Sequence, residues 1–539
     1  MNKAFKLMFI GLLSIAFLGL FACNSTNTTP DNSSPSKEEK SSVDSSMFST
    51  GDTKEISESD YNLSINLSKI SMDYTISKPG IYHITGDIND YQLIINYNSK
   101  NDKNLHLVLD NISMTNSKNA CIYIKEGSKV VIHLIGDNTI ESTYSTKVID
   151  DNNKIDGAIF SKCDLTITGN GNLDISSSLN GIVCKDDLRF TGGNIKINSL
   201  NKAVDVNDSV RIKDSIININ SDTNDGIHLE NKDDTSFFYM ESGELNIESA
   251  LDGIDLSTSN QDFSGYFSFV GGNLNIVAGG GFNAKSKNKD SKKGIKSDNT
   301  ITISGGIISI NSKDDAIHSL STLYITGGNI TLKTADDCLH SDTKDVITGG
   351  VIKVDGHEGI EGKEVEISGG ELNIIATDDG INASNSIIIS GGYIDITLGT
   401  GDVDGVDSNG TYTQTGGIVI SRVMYVDEMT STLDTESNVN ITGGTFIALG
   451  GFSNVSSKTT LNVVNIVSSS DKDNIVSFDI GNYILSDSNN DLLSFELKTK
   501  YTNLTIISDK LELNKNYEIS LNGISFMTWT QSERIVSLN

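Results

Sequence analysis

Along residues 301–310 the chain reads ITISGGIISI, and its apolar positions alternate with polar ones: Ile301, Ile303, Ile308 and Ile310 on one side, Thr302 and Ser309 on the other. Alternation with a period of two is the signature of a strand with one buried face. The same unit returns as LYITGGNITL, DVITGGVIKV, VEISGGELNI and IIISGGYIDI, with Gly pairs starting at Gly305, Gly327, Gly349, Gly369 and Gly391. The spacings are therefore 22, 22, 20 and 22 residues. A fixed period of this length without a helical face predicts a parallel β-solenoid of about three short strands per coil, with coils stacked roughly 4.8 Å apart. The Gly pair takes the corner, where a positive φ costs glycine little. Pro79 is the one proline after Pro35, which suits ladders in which nearly every N–H donates.

Between these units a second phrase recurs: DDAIHS, DDCLHS, HEGIEG, DDGINA and VDGVDS, at residues 314–408. Earlier relatives of it are NDGIHL, LDGIDL and KKGIKS. Two residues before the aliphatic stand Asp225, Asp252, Lys293, Asp315, Asp337, Glu358, Asp379 and Asp404. Just after it stand His228, Asp255, Lys296, His318, His340, Glu361, Asn382 and Asp407. In a solenoid, aligned positions become vertical neighbours, so two columns of oxygen and imidazole groups are expected. Stacked carboxylates repel by about 1–3 kcal/mol per pair unless neutralised. Calcium suits such columns because it takes six to eight oxygens in loose geometry. The expected metal ligands are Asp225, Asp252, Asp255, Asp315, Asp337, Glu358, Asp379, Asp404 and Asp407. His228, Lys296, His318, His340, Glu361 and Asn382 are expected on the ligand-binding face. An Asp at such a turn can equally cap a backbone N–H, and a single residue does not separate the two roles.

Charge narrows the partners. A formal net charge of −30 disfavours nucleic acid and favours cations, neutral ligands or anions bridged by a cation. Aromatic residues make up 6%, so a sugar-stacking platform is not evident. Cys121, Cys163, Cys184 and Cys338 lack metal or disulfide spacing and read as small core residues.

At the N-terminus, Lys3 and Lys6 precede an apolar run at 7–21 and then Leu20-Phe21-Ala22-Cys23. This resembles a bacterial lipobox and predicts a lipoprotein signal peptide at 1–23, with Cys23 lipidated; an ordinary signal peptide is the alternative. A lipid-anchored protein on the cell surface or outer envelope follows, its partner there the lipid bilayer. Residues 24–55 read as a flexible tether, 56–459 as the β-helix and 460–539 as a C-terminal β cap of the same domain. Residues 142–153 read as a polar loop. The stretches 231–235 and 279–293 read as insertions, the latter standing off its coil, and 421–437 reads as an excursion.

The motifs PGIYHITGDI, LHLVLDNISMTNSKNACIYI, AIFSKCDLTITGNGNLDI, the repeated SGG and DDGI units and YTNLTIISDKLELNKNYEISL together resemble a known family. It comprises bacterial carbohydrate-binding domain proteins with a right-handed parallel β-helix, and the likeness spans most of 70–530. The resemblance implies a pectate-lyase-like solenoid that binds cellulose-like or pectin-like cell-wall polysaccharide, with calcium on acidic residues and without assured catalysis. A monomer is expected. Two other readings stand beside this one. A calcium-dependent uronate lyase would need a Lys or Arg base, for which Lys293 and Lys296 are the candidates unless they merely relieve repulsion. A structural adhesin would instead use the inserted loops.

Overall fold

The computed structural model describes residues 47–98, 103–150, 153–230, 236–257, 265–285, 289–399, 403–424, 430–450, 458–467 and 477–538. The leader, Cys23, most of the tether and the insertion at 231–235 lie outside the described residues. Regular structure in the rest is strand, apart from two single-turn 3-10 helices, Glu58–Asp60 and Leu67–Lys69. Each coil lays down three strands, and each strand pairs in parallel with its equivalent in the next coil. One wall carries the Asp-Gly-Ile phrase, as in Val204–Val206, Ile227–Leu229, Ile254–Leu256 and Ile295–Ser297. A second wall carries the strand before the Gly pair, as in Phe237–Met240, Tyr266–Phe269, Ile301–Ile303 and Thr322–Ile325. A third carries the strand after it, as in Ile216–Ser221, Glu244–Ser249, Asn273–Ala278 and Ile307–Ser312. This is the β-solenoid that the repeat predicts.

The alternation is realised side chain by side chain. Ile301, Ile303, Ile308 and Ile310 are buried, whereas Ser309 is exposed. On the second wall one inward column runs from Leu105 through Val130, Leu165, Leu188, Val210, Phe238, Phe267, Ile301 and Leu323. At the corners the second glycine of the pair takes the left-handed region, as at Gly328 with φ 100°. A side chain there would also crowd the Gly305 carbonyl of the previous coil. The four described cysteines are free and buried in this core, as expected, and burial pushes the Cys121 and Cys163 thiols up to about 12.

The solenoid ends by reversing strand direction. Val439–Gly450 pairs antiparallel with Asn503–Ser508, which pairs antiparallel with Asn462–Val467. A separate four-stranded antiparallel sheet, built from Gly481–Asp487, Asp491–Leu497, Asn516–Leu521 and Ile524–Thr530, packs a second core around Tyr483, Phe495, Tyr517 and Trp529. The last parallel edge is thereby covered.

Four local expectations are corrected. Within 142–153, strand Val148–Asp150 pairs antiparallel with Asn153–Ile155, because Ile155 is buried beside Tyr123 and Phe160. In the stretch 279–293 the described ends lie against the solenoid: Ser291 Oγ donates to Asp252 (2.7 Å), Lys292 is buried, and the Phe282 N–H donates to Asn311 (2.8 Å). The stretch 421–437 largely completes a coil, since Thr430 and Thr432 are buried and Asp434 pairs with Asp407.

The end of the supposed tether belongs to the fold. Asp52 is fully buried, forms an ion pair with Lys129, and accepts from Thr166 Oγ1 (2.6 Å) and Ser49 Oγ (2.7 Å). Burial alone would raise its pKa, but the bonds from Lys129, Thr166 and Ser49 win and lower it to about 2. Thr191 Oγ1 also donates to the Asp52 carbonyl (2.6 Å). Asp52→Ala is expected to release this strap at a local cost of about 2 kcal/mol, the range for hydrogen bonds to a charged group. Limited proteolysis should then cut near residues 48–56 while the coils stay protected. An unchanged cleavage pattern would show that the strap is held by other contacts.

Candidate functional site

The Asp-Gly-Ile wall presents one outward column in continuous register: Asp205, His228, Asp255, Lys296, His318, His340, Glu361, Asn382, Asp407 and Asp434. All eight expected members are vertical neighbours. Asp205 and Asp434 extend the column at either end, beyond what the motif alone reveals.

In the companion column, the two roles left open by the sequence coexist. The carboxylate oxygen Oδ1 of one coil accepts from the backbone N–H of the equivalent residue in the next. This links Asp225 to Asp252 (3.2 Å), Asp252 to Lys293 (2.7 Å), Asp315 to Asp337 (3.4 Å), Asp379 to Asp404 (2.8 Å) and Asp404 to Ser431 (2.7 Å). The capping role thus uses one oxygen and leaves the other to face its neighbours.

Cations of the chain neutralise parts of the columns. Asp205 receives His228 Nδ1 (2.9 Å) and Lys202 (3.2 Å); although burial opposes it, these groups hold its carboxyl well below the usual range. Lys293 Nζ lies 2.8 Å from Asp314 and 2.5 Å from Asp315. Lys296 lies 3.8 Å from Asp255 and 3.1 Å from Ser257 Oγ. Asn382 donates to Glu358 (3.1 Å).

Elsewhere like charges remain pressed together. Burial, then Asp255, pushes the Asp252 carboxyl up to about 7. Burial and Asp255 also raise Asp225. Burial, then Asp337 and Glu361, lifts Glu358 to about 8. Burial, then Asp379, lifts Asp404 to about 7, and burial with Asp434 raises Asp407. These oxygen-only groups, at both ends of the columns, have the donor chemistry of a hard dication site.

In the middle coils the chemistry changes. The His318 and His340 rings stack with centroids 4.2 Å apart and planes 8° from parallel. Asp315 Oδ2 is 2.9 Å from His318 Nδ1 and 3.6 Å from His340 Nδ1. His340 Nδ1 is also 3.2 Å from Asp337 Oδ2 and 3.2 Å from Glu361 Oε2.

A different wall holds a feature that lies outside the Asp-Gly-Ile phrase. Asn246 donates to Asn218 (3.0 Å) and Asn275 donates to Asn246 (2.8 Å), forming an amide ladder across three coils. The ladder floors an open groove of about 320 Å³ edged by Lys196, Asn198, Asn220 and Glu248. Its signal is the Asn at one alternating position of IININS, ELNIES and NLNIVA, each outward on its strand. The aromatic count misleads in a related way. Phe237 and Tyr266 do stack on the second wall (5.1 Å), but Arg211 covers the Phe237 ring at 4.8 Å, and Trp529 is buried in the cap.

Comparison with known proteins gives these residues a context. The chain is similar to a carbohydrate-binding domain-containing protein of Acetivibrio thermocellus, 36% identical over 167 residues. That match covers 29% of this chain and 58% of the relative's length. Among solved structures it is similar to a polysaccharide lyase-like protein from C. thermocellum, studied as a gadolinium derivative, at 27% identity and a TM-score of 0.35. This likeness covers 49% of this chain and 95% of the other. Residues 71–338 match the family model described as carbohydrate-binding domain-containing protein, a span that takes in the amide groove and the columns as far as Asp337. Over that span, just under half of the chain, the sequence matches the carbohydrate-binding domain-containing family.

Proposed function

We propose that this is a non-catalytic protein, anchored at the cell surface through Cys23, that lays an extended cell-wall polysaccharide along its solenoid. The observation that carries this reading is the amide ladder Asn218–Asn246–Asn275 in an open groove. Each amide in such a ladder satisfies its neighbour and still offers donor and acceptor capacity outward, the chemistry that recognises sugar hydroxyls. The coil spacing repeats that chemistry along the axis, so a long glycan gains many weak bonds at once.

Calcium belongs to the other wall. Asp225, Asp252 and Asp255 at one end, and Asp379, Asp404 and Asp407 at the other, would hold it and thereby bridge an acidic, pectin-like chain to a protein of the same sign. The uronate-lyase reading is weaker on this geometry. Burial would lower the Lys293 pKa, but Asp315 and Asp314 prevail and raise it, so its ammonium is held charged rather than freed as a base.

The test incubates the protein, without its leader, with insoluble cellulose and with calcium-set pectate gel, and measures the fraction pelleted. Cellulose binding should persist in chelator and fall about tenfold in Asn218→Ala/Asn246→Ala, the loss of two net hydrogen bonds. Pectate binding should require calcium and fall in Asp252→Asn/Asp404→Asn. Retention of neither polymer would overturn the glycan reading, and unsaturated uronate products would replace it with the lyase.

A further inference from the structure

We infer that the middle of the acidic column holds a second kind of cation site, one for a nitrogen-preferring divalent transition metal such as zinc or cobalt. The donors are His340 Nδ1, Asp337 Oδ2 and Glu361 Oε2. It stands apart from the glycan reading and from the oxygen-only calcium groups.

Zinc-class ions bind nitrogen and carboxylate oxygen at about 2.0–2.2 Å in tetrahedral sites, which separates the donors by roughly 3.3–3.5 Å. His340 Nδ1 lies 3.2 Å from each of the two carboxylate oxygens, and all three donor atoms fall within 4.8 Å of one another. Calcium and magnesium take oxygen ligands, so an imidazole nitrogen at the apex selects against them.

A second observation points the same way. His340 Nδ1 is buried, and none of its close carboxylate contacts is aligned as a hydrogen bond. His228, four coils earlier in the same column, makes an aligned 2.9 Å bond to Asp205. The His340 nitrogen therefore faces acceptors at metal-edge distance without being satisfied by them. Its ring is also fixed. It stacks on His318, whose Nε2 is 3.0 Å from Asp342, while His340 Nε2 lies 3.7 Å from the same carboxylate.

Asp315 is not a ligand here, because Lys293 already sits on its Oδ2 at 2.5 Å. Three protein donors leave one position for water or a ligand atom. His318 acts as a positioning residue.

The test titrates the metal-free protein with Co²⁺ and follows its visible absorption, which reports nitrogen ligation and tetrahedral geometry. The expected result is one equivalent bound with an intense visible band, retained in about a hundredfold excess of calcium and lost on adding zinc. His340→Gln should abolish the band, and His318→Gln should weaken Co²⁺ binding about tenfold. His340→Gln should keep its strand circular dichroism and its cellulose binding through the amide groove, whose lining does not include His340, which separates this site from the glycan reading. Cobalt uptake that His340→Gln leaves unchanged, or that equimolar calcium displaces, would overturn the proposal.

Discussion

Replacing Ser341 and Asp345 together, as Ser341→Ala/Asp345→Val, is expected to stabilise the solenoid by about 1–3 kcal/mol, the desolvation cost of a buried polar group left without a partner. Asp345 occupies the inward column of the second wall between Leu323 and Val365, where every neighbouring level supplies an aliphatic or aromatic side chain. It is fully buried; one oxygen accepts from Ser341 Oγ at 2.8 Å, and the other has no partner. Burial drives its pKa well above the ordinary carboxylate value, so the folded chain keeps the proton. Removing both partners avoids leaving the Ser341 hydroxyl orphaned.

The pH dependence follows from that raised pKa. Below about pH 4 the unfolded chain is also protonated at this residue, and the group favours neither state. Above it the unfolded chain releases a proton that the folded chain retains. Stability of the parent protein therefore falls by about 1.4 kcal/mol per pH unit from this residue, until the folded pKa is reached. The gap between variant and parent should widen as pH rises from 4 to 7, measured by urea unfolding at each pH. A gap that is constant with pH, or a variant less stable than the parent, would show that the carboxyl is charged and compensated in the fold.

How far the fold and the site could be read in advance depended on whether a residue's direction follows from local pattern. The columns were legible because the Gly pairs set the period and the Asp-Gly-Ile phrase sets the phase. Vertical neighbours such as Asp255, Lys296 and His318 then follow by counting. Asp345 was placed by the repeat but not singled out: in DVITGGVIKV it takes the inward position that Leu323 holds in LYITGGNITL, and Leu339–Ile347 runs as one strand that turns that Asp inward. Asp434 was hidden by a 27-residue step from Asp407 that broke the period. Phe48 to Asp52 has the composition of a linker, and only the pocket formed by Lys129, Thr166 and Thr191 reveals it as a strap. The asparagine ladder was visible as letters but not as a site, since Asn more often marks a turn than an outward strand position. The His340 triangle depended on ring orientation, which spacing does not encode.

Gly380→Val is the substitution expected to do most damage, at about 3 kcal/mol or more, the upper range for overpacking against unyielding atoms. Gly380 does not need an unusual φ; it needs empty space. A Cβ there would stand 2.5 Å from the carbonyl oxygen of Gly405 in the next coil and would also press on Ile396. That same carbonyl accepts from the Ile381 N–H at 3.2 Å, and the Gly380 N–H donates to Asp404 at 3.0 Å. Moving the backbone away to admit a branched side chain therefore breaks the ladder that stacks these coils. Ala316 and Cys338 occupy the equivalent position three and two repeats earlier and are buried there, so a single Cβ can be absorbed by a small local shift. Gly380→Ala should accordingly cost only about 1 kcal/mol, while valine adds two γ carbons with nowhere to go. Because repeat stability is close to a sum of coil and interface terms, the damage should stay local. Hydrogen exchange should quicken in the strands Ile381–Ile389 and Val406–Ser408, with coils near Val130 unaffected. If Gly380→Val instead melts within about 0.5 kcal/mol of the parent, the glycine reflects chain flexibility rather than close approach, and the stacking argument for the phrase fails.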